Sequence, residues 1–233
     1  MNSAFNPTLP TDKSMALYWS GTPGCSRSIA ICHAADLAEV PILLLCETNE
    51  NVDQSIRELS YFSRAFENLP VFSLPDWETL PYDNFSPHQD ITSERLNSLF
   101  HLPKLRRGIL VLSISSLMHR LPPREYIDSI SLDLRVGQHL EISQMKEELV
   151  YAGYKLVDSV FEHGEFAVRG SILDIYPMGS PLPYRIDLFD NEIESLRTFD
   201  PESQRSISKV REIKLLPARE YPLDDSGIKT FRA

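Results

Sequence analysis

Cysteine is scarce in this chain: Cys25, Cys32 and Cys46 are odd in number and show no C-x-x-C spacing. That argues against a disulfide framework and a zinc site, and for inert thiols in a reducing compartment. Long apolar runs are missing as well. None approaches the roughly 20 residues that span a bilayer, and the N-terminus lacks the basic and apolar stretches of a signal peptide. The expectation is a cytoplasmic protein with no membrane partner. Net positive charge is also lacking, since 23 Lys and Arg stand against 33 Asp and Glu, a balance of −10. A broad phosphate-backbone surface needs clustered Lys and Arg, so direct DNA binding is disfavoured.

What is present fits an ordinary globular chain: 233 residues, 42% hydrophobic and 24% charged, enough for one large or two small domains. From residue 15 to about 125, strand and helix patterns alternate. Ala16 to Trp19, Ile42 to Cys46, Val71 to Leu74 and Ile109 to Leu112 read as strands. Ile29 to Ala38, Val52 to Phe66 and Ile91 to Leu105 read as helices. Such alternation predicts a doubly wound α/β layer. Pro122-Pro123 marks a break. Beyond it, Ile130, Leu132, Leu134 and Val136 alternate as in a half-buried strand. A short helix comes next, from Ile142 to Ala152, with Ser143 as a candidate cap and Gly153 past its end. Strands then come quickly: 166–169, 172–176, 184–189 and 193–196. Asp190-Asn191 predicts a tight hairpin turn. This half reads as α+β. Asp224-Asp225-Ser226 predicts a helix cap, and the short run after it suggests a chain that continues past Ala233.

Residues 21–28, Gly-Thr-Pro-Gly-Cys-Ser-Arg-Ser, are a near-miss to the phosphate-binding loop G-x-x-x-x-G-K-[ST]. Gly21 and Ser28 hold the outer positions. Ser26 replaces the second glycine and Arg27 the lysine. Glycine lets the backbone approach phosphates, and arginine is not an equivalent of the compact lysine charge. The strand 109–112 runs into Ser113-Ile114-Ser115-Ser116 with no carboxylate for magnesium. An ordinary strand-to-helix turn is therefore favoured over a working nucleotide site, and no cofactor or metal is expected.

Other candidates carry less. Glu78, Asp83, His88 and Asp90 lie in an aromatic, proline-stiffened loop, but match no metal spacing; a loop capping the next helix explains them better. A bend at Gly164 accounts for Glu162-His163-Gly164-Glu165. Ser113, Ser115 and Ser116 lack a nucleophile elbow. Arg169, Arg185 and Phe189 are different. Arg185 and Phe189 share a strand face by two-residue alternation, and neighbouring strands would bring Arg169 onto it. Arginine and aromatics are usual interface anchors. Two solvated arginines paired with Asp174 or Asp187, and a core Phe189, fit the residues at least as well.

Several long strings then carry a resemblance. They are Asp76-Trp77-Glu78-Thr79-Leu80-Pro81-Tyr82-Asp83-Asn84-Phe85-Ser86-Pro87-His88, the run from Glu162 through Arg169-Gly170-Ser171-Ile172-Leu173-Asp174 to Pro177, residues 182–187 and residues 195–200. Together they closely resemble the bacterial transcription-repair coupling factors, the Mfd family, over nearly all of the chain after residue 15. The resemblance is to the N-terminal region similar to UvrB. It implies a degenerate P-loop helicase-like parallel-sheet domain without nucleotide binding, into which an α+β domain is inserted. The expected divisions are a loose segment 1–14, the first domain 15–128, the insertion 129–218, and a returning segment from 219 to 233, cut short.

The resemblance also implies that the insertion docks UvrA, the damage-recognition protein, through Arg169, Arg185 and Phe189. The arginines would meet partner carboxylates and Phe189 an apolar patch. RNA polymerase and DNA would be engaged only by other regions of the family's chain, which hold its ATP-driven translocase. The expected function is a non-catalytic module recruiting UvrA to stalled transcription for nucleotide excision repair. The competing expectation is a residual nucleotide-binding or hydrolysing domain built on Gly21, Ser26, Arg27 and Ser28.

Overall fold

A computed structural model describes residues 4–12, 14–67, 69–79, 86–223, 227 and 229. The predicted cap at 224–226 and the loop residues 80–85 lie outside them. The fold is mixed α/β, with both parallel and antiparallel sheets. The chain forms two compact units. One comprises residues up to 76 with 101–119; the other comprises 77–100 and the chain from 120 onward.

The first unit holds α1 (Ser26–Leu37), β1 (Ile42–Cys46), α2 (Asn49–Phe62) and β2 (Val71–Ser73). Helix α3 (Gln89–His101) lies almost wholly in the other unit, and the chain returns to the first with β3 (Ile109–Ser113) and α4 (Ile114–Met118). The apolar runs pair in parallel, in the order β1-β3-β2, with Ile42 opposite Ile109 and Val71 opposite Ile109 on its other side. One face is covered: Ile31, Cys32 and Ala35 of α1 and Val52 and Leu59 of α2 pack with Ile109 and Val111. Thr48 caps α2 by accepting from the Asn51 N–H at 3.3 Å. Ser113 caps α4, which gives the serine cluster a structural role. Ala16 to Trp19 do not form the expected strand. Their mix of polar and apolar neighbours finds no strand to pair with among the described residues, and a strand exists only through its partners.

The second unit opens with α3 and α5 (Arg124–Ile130). Strand β4 (Leu132–Arg135) pairs antiparallel with β11 (Glu212–Leu215). Helix α6 (Ile142–Tyr151) precedes the main sheet. That sheet is formed by β5 (Lys155–Leu156), β6 (Glu165–Arg169), β7 (Ile172–Ile175), β8 (Tyr184–Phe189), β9 (Glu192–Phe199) and β10 (Ser206–Val210), in the order β10-β9-β8-β7-β6-β5. All its pairings are antiparallel except β5 with β6. Leu96 and Phe100 of α3 and Met145 and Leu149 of α6 pack on its inner face with Phe166, Leu173, Ile186 and Leu196. Helix α3 thus joins the core of this unit, although the alternating pattern points to the parallel layer. Helical periodicity shows which face of a helix is apolar but not which sheet it will cover. Ser143 does not cap α6: Glu141 occupies the N-cap and no side chain bonds the free N–H groups. Gly153 comes after the helix at φ +97°, as expected.

A fully buried ion pair lies in the same unit. Arg95 donates to Glu220 through Nε and Nη2, both at 2.8 Å, and Trp77 Nε1 donates to the same carboxylate at 3.0 Å. The guanidinium also sits 4.9 Å from the centre of the Trp77 ring. Every oxygen of the carboxylate is therefore engaged, which makes its burial tolerable.

Candidate partner-docking face

Alternation along β6 to β9 sends Phe166, Leu173, Ile175, Ile186, Leu188 and Leu196 into the core. The opposite face carries the other set. Register aligns Arg169 with Ile172, Ile172 with Asp187, and Asp174 with Arg185. Facing residues share a sheet face, so Arg169, Asp174, Arg185 and Asp187 form one patch. Asp190 and Asn191 turn the β8–β9 hairpin at φ +47° and +62°, the left-handed pair anticipated from sequence. The turn leaves Phe189 at the strand end, opposite Glu192 and 68% exposed.

The structure brings the two arginines together on one buried carboxylate. Asp174 is 1% exposed. Arg185 holds it bidentately, Nε to Oδ1 at 2.7 Å and Nη2 to Oδ2 at 2.9 Å, and donates from Nη1 to the Gln204 carbonyl at 3.2 Å. Arg169 donates from Nη2 to the same Oδ2. Hydrogen bonding to Asp174 raises the Arg185 pKa above its ordinary value, outweighing the opposite effect of burial. The Arg185 guanidinium also packs over Phe199, 4.8 Å from the ring centre. The arginines are thus paired inside the molecule, as the ordinary reading of these residues expects, whereas Phe189 is not a core residue. Arg185 is only 17% exposed and Arg169 48%. Arg169 is the more open of the two, and Arg185 is the more rigid.

The degenerate loop lies in the other unit. Gly21 and Gly24 take φ +73° and +57°, and Ser26 Oγ turns back to the Pro23 carbonyl at 2.6 Å. Ser28 is buried and donates to Glu58 of α2. That bond, with a second from Gln54, holds the Glu58 carboxyl below its ordinary range. The hydroxyl that would serve a metal in an intact loop is committed to a neighbouring carboxylate, and a negative charge stands beside the loop. Among the described residues no cluster of His, Cys, Asp or Glu has metal-site geometry, and no helix is long and apolar enough to cross a membrane.

Sequence reasoning missed two features. One is the Arg95–Glu220–Trp77 cluster, whose members are far apart in the chain. The other is Arg197 on β9, directly opposite Arg185. Two-residue alternation from Ile193 misses it, because a register shift after Asp187 changes the spacing.

Comparison with known proteins identifies the family. Residues 132–221 match the UvrB interaction domain, a span that includes β4 to β11 and the arginine patch. The chain is 41% identical over all 233 residues to the transcription-repair-coupling factor of Escherichia coli, covering 20% of that protein. It is 48% identical over 196 residues to that of Haemophilus influenzae, covering 81% of this chain and 17% of the relative. The chain belongs to the transcription-repair coupling factor family. Its likeness is to the N-terminal region of those proteins. A more distant relative, from Bacillus subtilis, is 31% identical over 201 residues, or 86% of this chain and 17% of that protein. The chain spans about a fifth of the length of the coupling factors it matches.

Proposed function

We propose that this chain is a non-catalytic docking module that recruits UvrA to stalled transcription complexes for nucleotide excision repair. The observation that carries the reading is Phe189: a large apolar side chain, mostly exposed, on the same sheet face as two arginines held in fixed positions. An exposed aromatic beside immobilised guanidinium groups suits a protein interface, because little side-chain entropy remains to be lost on binding. Arg169 offers its remaining N–H donors to partner carboxylates. Arg185 acts through its hold on Asp174 and along its outer edge. Phe189 enters an apolar recess of the partner.

In this reading residues 129–218 are an α+β insertion in a degenerate helicase-like domain, which is made of 15–128 and of a returning segment that starts at 219. Translocation on DNA and contact with RNA polymerase belong to regions of the family's chain beyond these residues. The competing nucleotide-site reading is weakened by the missing strand before Gly21 and by the Ser28–Glu58 bond. Titration calorimetry with ATP and magnesium separates the two; saturable micromolar binding would revive it. The docking reading itself is tested by pull-down of UvrA with the 233-residue chain and its Phe189→Ala variant. Retention by the parent and loss by the variant support it, and equal retention by both overturns it.

A further inference from the structure

The outer face of the main sheet carries more positive charge than the three docking residues supply. Arg185 stands opposite Arg197, and Arg197 opposite Lys209 on β10. Three cations therefore lie in one row across three adjacent strands, spaced about 4.8 Å apart. Like charges directly opposite one another destabilise a sheet unless something compensates them. Asp174 holds Arg185 bidentately, although it also accepts from Arg169. The compensation of Arg197 is poor. Its Nε is buried with no hydrogen-bond partner among the described residues and lies 3.7 Å from Asp187 Oδ2, an oxygen that already accepts from Ser195 at 2.6 Å. The Arg197 side chain as a whole is 40% exposed. Lys209 is exposed, with no ion-pair partner among the described residues. The row thus runs from a closely paired Arg185, through Arg197 in a long ion pair with Asp187, to an unpaired Lys209 at the edge of the sheet.

We propose that Arg197 and Lys209 extend the docking face and receive an acidic strip of the protein partner, running across the strands from Phe189 toward β10. The inference rests on the docking reading above. Carboxylates fit better than nucleic-acid phosphates for two reasons. Asp187 sits within the patch and Glu192 opposite Phe189, where they would repel a polyanion but merely set the register of a mixed-charge protein surface. The exposed Phe189 needs an apolar counterpart, which a phosphate backbone does not offer.

The test compares the 233-residue chain with its Arg197→Glu, Lys209→Glu and Phe189→Ala variants, each shown folded by its melting curve. Association with UvrA is measured by biolayer interferometry at low and high salt. The expected result is association about tenfold slower for each charge reversal at low salt, with the gap narrowing as salt rises. Parent-like rates for both reversals, alongside lost binding by Phe189→Ala, overturn this inference and leave the docking reading standing. Parent-like binding by all three variants removes the docking reading itself. Salt-dependent binding of duplex DNA by the parent, abolished by Lys209→Glu, would make the row a phosphate site and also overturn the inference.

Discussion

Arg185 closes a bidentate ion pair on Asp174, with Nε–Oδ1 at 2.7 Å and Nη2–Oδ2 at 2.9 Å, and Arg169 reaches the same carboxylate from the strand on its other side. The two arginines therefore do unequal work. Removing Arg185 leaves a buried carboxylate with one half-exposed partner, and losing one member of a buried pair typically costs about 3–5 kcal/mol. Arg169→Ala removes an exposed contributor and is expected to cost about 1 kcal/mol or less. Urea unfolding of the two variants measures the difference. Equal midpoints would show that Asp174 does not depend on Arg185.

The inequality changes how binding data are to be read. A double Arg169→Ala, Arg185→Ala variant that fails to bind UvrA has two explanations, since the sheet itself is weakened. Phe189→Ala separates them. Its side chain is mostly exposed, so stability should move by about 0.5 kcal/mol or less, while binding should weaken by about 2 kcal/mol if it is an anchor. Calorimetric binding together with a thermal melt gives both numbers.

The Arg95–Glu220 pair makes a second stability prediction. Glu220→Ala removes the bidentate carboxylate from a fully buried guanidinium and should destabilise the protein by about 3–5 kcal/mol. Trp77→Phe removes the indole N–H bond to Glu220 and part of the ring contact, costing about 1 kcal/mol. A double-mutant cycle between residues 77 and 220, read by chemical denaturation, should give a coupling energy well above zero. Additive effects would mean that the indole and carboxylate act independently.

At the degenerate loop, hydrogen bonds from Ser28 and then Gln54 depress the Glu58 pKa below its ordinary value of 4.5. A depressed carboxylate stabilises the folded state above its unfolded pKa and loses that contribution as pH falls through the folded value. The stability advantage of the parent over Glu58→Gln should thus be constant near neutrality and shrink below about pH 4.5. Melting curves from pH 7 to pH 3.5 track it; a gap that widens on acidification would contradict the sign.

Much of this architecture was legible in local patterns. The apolar run Ile42 to Cys46 is a parallel strand over those same residues, and Asp190-Asn191 turns the β8–β9 hairpin at the two left-handed positions. Both are decided by neighbours in sequence: unbroken apolar character in one case, tolerance of positive φ in the other. Ala16 to Trp19 show where that logic fails. A strand needs a partner edge, and nothing in four residues says whether one is present. Alternation alone places Phe189 on the arginine face, but its exposure depends on where the hairpin ends.

By itself the sequence determined the elements, the family, and which residue types stand at Arg169, Arg185 and Phe189. Periodicity, turn chemistry and long matching strings are all properties of the chain in order. Only the tertiary structure decided which charges meet. Asp174 lies between Arg169 and Arg185 because three strands come into register, and Arg197 and Lys209 join the row because two more do. Electrostatic pairing depends on distance in space, and cross-strand distance is set by register rather than by separation along the chain.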